Sequence, residues 1–255
     1  MSGRVWSTTT GAPGEAHVVL IHGSLDRSAG LLRLSRRLDD TFRVTRYDRR
    51  GYGRSNPHPG PFGIEEQVAD LDAVITGAAA GGTPLVLVGH SYGGNVALAF
   101  VDRNPGRVAA VVTYESPLSW EPWWPADSAG GDAMAWSADP EEAAERFMRR
   151  LIGDDRWDRL PPSTRAARRS EGRAMVGELA DLRLRPPWRT DRVAVPVLVM
   201  RGEHGHAHHR RGTDALVARL PDARIHTVPG ARHFGPNTHA DAVGTRIRAF
   251  LAEHV

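Results

Sequence analysis

Cysteine is absent from the 255-residue chain. Disulfides, thiolate nucleophiles and cysteine-based metal sites are therefore excluded, and the redox compartment stays open. Lysine is absent too, so all 33 basic residues are arginine. That removes the lysine of a phosphate-binding P-loop and the lysine of a Schiff base, and with them Walker-type phosphoryl transfer and pyridoxal chemistry. No run approaches the ~20 apolar residues that cross a bilayer. Met1 to Thr10 lacks the apolar core of an export signal, so a cytoplasmic protein that does not enter a membrane is expected. Charge of one sign is scarce as well: the net charge is only +3. The arginine pairs Arg49-Arg50, Arg149-Arg150, Arg168-Arg169 and Arg210-Arg211 are scattered among acidic residues, with no basic stripe interleaved with aromatics. A solvated surface is expected from them, and no nucleic-acid partner.

What is present fits one large α/β domain, or one with a modest insertion. Short apolar runs at Val18 to Ile21, Leu85 to Val88, Val108 to Val112 and Val195 to Met200 read as strands buried on both faces of a parallel sheet. Phe42 to Tyr47 is a weaker run of the same kind, and Arg224 to Val228 a later one. Helical spacing marks Ile64 to Ala80, ending at the Gly81-Gly82 stop, Asn95 to Asp102, and His239 to Ala252. This alternation predicts a mostly parallel, doubly wound α/β sheet. It breaks between about Pro117 and Pro187, where amphipathic helices such as Glu141 to Leu151 are expected. Six of the seven tryptophans (Trp120, Trp123, Trp124, Trp136, Trp157 and Trp188) lie in or beside this stretch. Residues 117–187 are therefore expected to form a helical cap over a core made of 1–116 and 188–255. Further helices of the same layer, with the tryptophans as core filler, are the alternative.

The strongest motif is Gly89-His90-Ser91-Tyr92-Gly93, followed by Gly94. It sits between the strand at Leu85 to Val88 and the helix from Asn95. A strand-to-helix turn this tight needs glycines on either side of its central residue. It lifts that residue's hydroxyl above the sheet at a helix N-terminus, where developing negative charge is favoured. Ser91 is thus the candidate nucleophile. Acyl transfer also needs two backbone N–H donors for the oxyanion. Tyr92 follows the nucleophile, and Ser24 in His22-Gly23-Ser24 follows an earlier strand, so these two are the candidate donors.

Four pieces of the chain together resemble the α/β-hydrolase superfamily, in that family's order, from about residue 16 onward. They are His22-Gly23-Ser24, Tyr47-Asp48-Arg49-Arg50-Gly51-Tyr52-Gly53-Arg54-Ser55, Gly89-His90-Ser91-Tyr92-Gly93-Gly94 and Pro229-Gly230-Ala231-Arg232-His233-Phe234. The resemblance implies an α/β-hydrolase fold and a Ser-His-acid triad. Asp48 and Arg50 would brace the site without reacting. Of twelve histidines, His233 occupies the loop in which the family carries its base.

The acid departs from the common pattern. Relatives carry G-x-x-D after a strand such as Val195 to Met200, whereas this chain reads Gly202-Glu203-His204-Gly205, with glycine where aspartate is expected. Glu115, just past Val108 to Val112, is the preferred substitute because it leaves its strand toward the same edge. Glu203 is the alternative. The cluster His204, His206, His208 and His209 has irregular spacing and no nearby acidic ligands, so no metal site is expected.

These features predict a cofactor-free serine hydrolase acting on an ester-type bond of a hydrophobic small molecule, with Trp120, Trp123, Trp124 and Trp136 as candidate substrate contacts. Lactones, thioesters, amides and C–C bonds remain open. Serine at the elbow argues against epoxide hydrolases and haloalkane dehalogenases, which place aspartate there. An acyltransferase or perhydrolase, or a silent ligand-binding protein of the same fold, are the alternatives.

Overall fold

Side chains along each central strand alternate between two apolar environments, and that alternation requires helices on both faces of the sheet. The computed structural model describes residues 5–12, 14–78 and 82–255. Seven strands form one sheet: β1 (Ser7–Thr10), β2 (His17–Ile21), β3 (Arg43–Tyr47), β4 (Leu85–His90), β5 (Ala110–Tyr114), β6 (Val197–Gly202) and β7 (Ala223–Val228). Their spatial order is β1-β3-β2-β4-β5-β6-β7. All neighbours are parallel except β1, which runs antiparallel to β3.

The described helices are α1 (Leu32–Ser35), α2 (Ile64–Ala78), α3 (Tyr92–Arg103), α4 (Ala129–Met134), α5 (Pro140–Ile152), α6 (Asp154–Asp158), α7 (Pro162–Ser170), α8 (Gly172–Leu184), α9 (Ala207–Arg219), α10 (Gly235–Thr238) and α11 (Ala240–His254). Val19, Leu87, Val111 and Val199 pack with apolar residues of α2 and α3 on one face. Their neighbours Val18, Val86, Val112 and Leu198 pack with Ile247 and Phe250 of α11 on the other. This two-faced burial produces the unbroken apolar runs seen in the sequence.

Helices α4 to α8 lie between β5 and β6 and carry a third apolar cluster. Phe147, Met148, Trp157 and Met175 meet Leu25, Tyr52 and Phe62 from the core loops there. Three carboxylates, two of them buried, fasten α8 to the core. Glu178 pairs with Arg49, both fully buried, at 2.6 Å, and accepts the Tyr52 hydroxyl at 2.5 Å. Glu171 accepts from Arg27 at 2.7 Å and from the Gly53 N–H at 2.8 Å. Asp181 accepts the Ile64 N–H at 2.8 Å.

Four details differ from the expectations. β1 was not foreseen, since Ser7–Thr10 is short and wholly polar. β5 starts at Ala110, two residues later than the apolar run suggested, which carries it through to Tyr114. α3 begins at Tyr92, directly after Ser91. The segment holding His208 and His209, for which no helix was expected, is the first turn of α9. The helix stop expected at Gly81-Gly82 reaches into 79–81, outside the described residues. No helix among the described residues is long and apolar enough to cross a membrane.

Candidate active site

β4 ends at His90 and α3 begins at Tyr92, so Ser91 alone forms the turn, at φ 54° and ψ −125°. Left-handed backbone in a non-glycine residue costs on the order of 1–3 kcal/mol and persists only where the surroundings enforce it. Here the Ser91 N–H donates to the Tyr114 carbonyl at 2.8 Å, and the Gly94 N–H to the Ser91 carbonyl at 2.9 Å. A Cβ at Gly89 would collide with the backbone of Gly93 and Gly94, and one at Gly93 with the carbonyls of Ile21 and His22. Among the described residues, three non-glycines have positive φ: Leu25, Ser91 and Glu115. Each is a candidate site residue or adjoins one, so the strain is concentrated at this edge of the sheet.

The loop after β2 is held by His22. Its Nε2 accepts the Arg49 N–H at 2.9 Å, so Nδ1 carries the proton and donates to the Gly23 carbonyl at 2.7 Å. Burial and the Arg49 charge hold this imidazole well below its usual pKa, and therefore neutral. Ser24 follows it and lines the same cavity as Ser91. Tyr92 heads α3 and is fully buried, its ring beneath the Arg49 guanidinium at 4.8 Å. Asp48 and Arg50 are structural in their contacts. Asp48 accepts the N–H groups of Ser28 and Arg54, while Arg50 makes a two-pronged pair with Asp70 at 2.6 and 2.8 Å.

His233 lies in the loop between β7 and α10, clamped through its backbone. His90 Nε2–H donates to the His233 carbonyl at 2.8 Å, and the Tyr114 hydroxyl to the Arg232 carbonyl at 2.9 Å. Burial, reinforced by neighbouring His233, pushes the His90 pKa down to about 3, so it remains a neutral donor.

Glu115 is fully buried and sits directly after β5. One carboxylate oxygen accepts from His233 Nδ1 at 2.8 Å, the other from the Gly202 N–H at 2.9 Å. With Nδ1 engaged by Glu115, His233 Nε2 has no hydrogen-bond partner among the described residues. A Cβ built on Gly205 would fall on Glu115 Oε1 itself. The glutamate carboxylate therefore fills the space that an aspartate at 205 would need, and glycine there is a condition of the arrangement. Glu203 is elsewhere: it is half-exposed and accepts the Gly230 N–H at 2.7 Å, bracing the turn before His233.

The sequence reading missed His209. It is buried, and its ring stacks on that of His233 at 4.6 Å with an interplanar angle of 22°. Burial and then the neighbouring histidines hold it well below its usual pKa, so it stays uncharged. The signal lay in the helix start at Ala207, hidden by the run of histidines. Glu115, His209 and His233 offer ligand atoms within 4.8 Å of one another. Yet near-parallel stacked rings do not aim their in-plane lone pairs at one point, and Glu115 is already bonded to His233. The cluster is better suited to a proton-transfer site than to an ion.

Ser91 and His233 open onto a cavity of about 250 Å³. Trp124 lines it, with Phe147, Leu151 and Leu179. Trp120, Trp123 and Trp136 do not line it. Trp120 packs edge-on against Trp188, Trp123 lies under Arg211, and Trp136, 42% exposed, lies under Arg146. In this arginine-rich chain, guanidinium groups and other rings occupy the tryptophan faces that were expected to meet substrate.

An elbow serine before a helix, on a parallel sheet with one antiparallel edge strand, defines the hydrolase class of α/β proteins. Residues 18–245 match the Alpha/beta hydrolase family, and the chain belongs to that family. It is 34% identical over 109 residues to lipase LipV of Mycobacterium tuberculosis, covering 43% of this chain and 40% of the lipase. The chain thus matches less than half the length of that relative. It is 28% identical over 265 residues to the 2-hydroxymuconate semialdehyde hydrolase of Pseudomonas putida, covering 92% of this chain and 86% of that protein. A solved thermophilic esterase from Thermogutta terrifontis superposes with a TM-score of 0.76 at 23% identity, over 98% of this chain and 94% of the esterase. The relatives support hydrolase activity.

Proposed function

We propose that this protein is a serine hydrolase that cleaves an ester-type bond of a small molecule through Ser91, His233 and Glu115. The observation that carries the reading is the 2.8 Å pair of buried Glu115 with His233, whose ring lines the same cavity as the strained Ser91. Nε2 of His233 takes the Ser91 proton as Oγ attacks the carbonyl carbon. The backbone N–H groups of Ser24 and Tyr92 hold the oxyanion, aided by the N-terminus of α3. His233 then delivers its proton to the departing alcohol, leaving an acyl-serine. Water, deprotonated by His233, attacks that acyl group, and the proton returns to Ser91 as the acid leaves. Glu115 fixes the imidazole tautomer and stabilises the imidazolium in both steps. The helices from α4 to α8 act as a cap that covers this chemistry, and no metal or cofactor takes part.

A fluorophosphonate probe and a series of 4-nitrophenyl esters test this directly. Stoichiometric labelling and ester turnover are expected in the native protein. Ser91→Ala is expected to lose labelling and to reduce kcat by about 10⁶-fold, the scale seen when a serine nucleophile is removed. A native protein that neither labels nor turns over any ester would sink the hydrolase reading in favour of a silent ligand-binding protein. Labelling with transfer of the acyl group to an added alcohol or peroxide, in preference to water, would favour an acyltransferase or perhydrolase.

A further inference from the structure

The cavity over Ser91 has an apolar wall from Phe147, Leu151 and Leu179, and two arginines line it: Arg150, which is exposed, and Arg183, which is part-buried beside that wall. Arg183 stands one turn beyond Leu179 on α8, and both side chains line the cavity. The adjoining face of the helix, at Glu178 and Leu182, is buried against the core. Three carboxylates, Glu171, Glu178 and Asp181, fasten this helix in place, so the arginine is presented from a fixed support.

Arg183 is only part-buried, yet it lacks an anionic partner. Its sole hydrogen bond among the described residues runs from Nη1 to the carbonyl of Leu179 in its own helix, at 2.9 Å. No carboxylate of the described residues pairs with it, whereas Arg149, Arg168 and Arg169 of the neighbouring helices pair with acids. Arg150 has no acid partner among the described residues either, but it is exposed to water and donates to the Asp127 carbonyl, so only Arg183 combines burial with the lack of a counter-charge. Burial pulls its pKa down, and no neighbouring charge offsets that effect. Asp127 is the one acid among the residues lining this cavity. It lies exposed at the wall and, among the described residues, forms no ion pair; its backbone carbonyl accepts from Arg150. A guanidinium removed from water without a counter-charge is a cost to the fold. It becomes an asset when an anion arrives, because a planar carboxylate can accept two of its N–H groups at once.

We propose that Arg183 is the anchor for a carboxylate on the substrate, so that the cavity takes hydrolysable molecules with an anionic group at one end and an apolar stem along Leu179, Leu151 and Phe147. This rests on the serine-hydrolase reading above and narrows its substrate class from hydrophobic esters to acids that also carry a scissile carbonyl.

The test separates the two claims by using labelling of Ser91 as the reporter. Unbranched carboxylates from butyrate to decanoate, and the primary amides of the same acids, are compared for their ability to slow fluorophosphonate labelling. In the native protein at least one carboxylate is expected to protect about tenfold better than its amide, the range of one charge-assisted hydrogen-bonded pair. Arg183→Gln and Arg183→Met are expected to bring that ratio to about one, and Arg183→Lys to keep part of it. The ratio is read within each variant, so it does not depend on that variant's own labelling rate. Equal protection by acids and amides in the native protein, protection by neither, or a preference that survives Arg183→Gln would overturn the proposal. A native protein that fails to label at all would instead overturn the hydrolase reading on which it rests.

Discussion

Two adjacent loops, one after β5 and one after β6, each bring a glutamate to the same end of the sheet, and they use it in opposite ways. Glu115 is fully buried with a donor on each oxygen, one of them His233. Glu203 is half in solvent, accepts the Gly230 N–H and lies 4.0 Å from His204 Nε2. Side-chain type is the same, and both strands are parallel neighbours. The difference lies in the backbone. Glu115 leaves β5 at φ 47°, which turns its side chain inward under His233, and the glycine at 205 leaves that space empty. What such a carboxylate bonds is therefore set by the point in space it reaches and not by the strand that delivers it.

The sharpest way to break this contrast is to put the aspartate back. Gly205→Asp places a side chain on the Glu115 carboxylate, so two acids compete for one buried position. Ester kcat is expected to fall by about 10⁴-fold, the scale of a triad whose acid no longer orients the histidine, and folded yield should fall with it. Combined with Glu115→Ala, the same aspartate has room. The double variant is expected to recover about tenfold or more over Glu115→Ala alone, a coupling within the range found for groups that share one site. A double variant no better than the product of the two singles would mean that the positions are not interchangeable.

Next in size is the fastening of α8 to the core. Removing the charge with Glu178→Gln strands Arg49 without a counter-ion in a fully buried site. This should cost about 3–5 kcal/mol in unfolding free energy, measured by urea titration. Loss of less than about 1 kcal/mol would show that water reaches the pair.

Acid sensitivity should be intermediate. His22, His90 and His209 are all held neutral below their ordinary pKa, and His17 titrates near 4. Because the unfolded chain binds protons at these positions from about pH 6.5 downward and the native state does not, stability is fully present above that pH. It should drain away as pH falls toward 4. His209→Phe, which keeps a ring against His233, should flatten the fall of Tm between pH 6.5 and 4. An unchanged slope would place the sensitivity at the other buried histidines. Smallest of all should be Glu203→Gln, with kcat/KM expected to stay within about threefold of native, as for an exposed group that keeps its hydrogen-bond acceptor.

The elbow was legible in the chain because its geometry is a backbone matter. Only glycine fits at 89 and 93, so the requirement is written in residue type. His233 was legible through its place after the last strand. The carboxylate was harder, since a glutamate reaches its target through side-chain length and a positive φ, neither of which is visible as spacing. Preferring Glu115 over Glu203 depended on which strand end faced the site. His209 went unread as a neighbour of His233 because Ala207 to His209 lacks the apolar period that announces a helix. β1 escaped because four polar residues at a sheet edge carry no pattern. The tryptophans misled for a different reason: an aromatic-rich stretch advertises apolar surface, but Trp120, Trp123 and Trp136 pack against another ring or an arginine away from the cavity that Trp124 lines.

The most direct test of the central claim is kcat for Glu115→Gln, with Glu203→Gln measured beside it on the same ester. Glutamine keeps the size of the side chain but presents an uncharged amide to His233 Nδ1, which removes the orienting charge. A fall in kcat of about 10³- to 10⁴-fold, with KM little changed, is what this account predicts. Activity within threefold of native would contradict it.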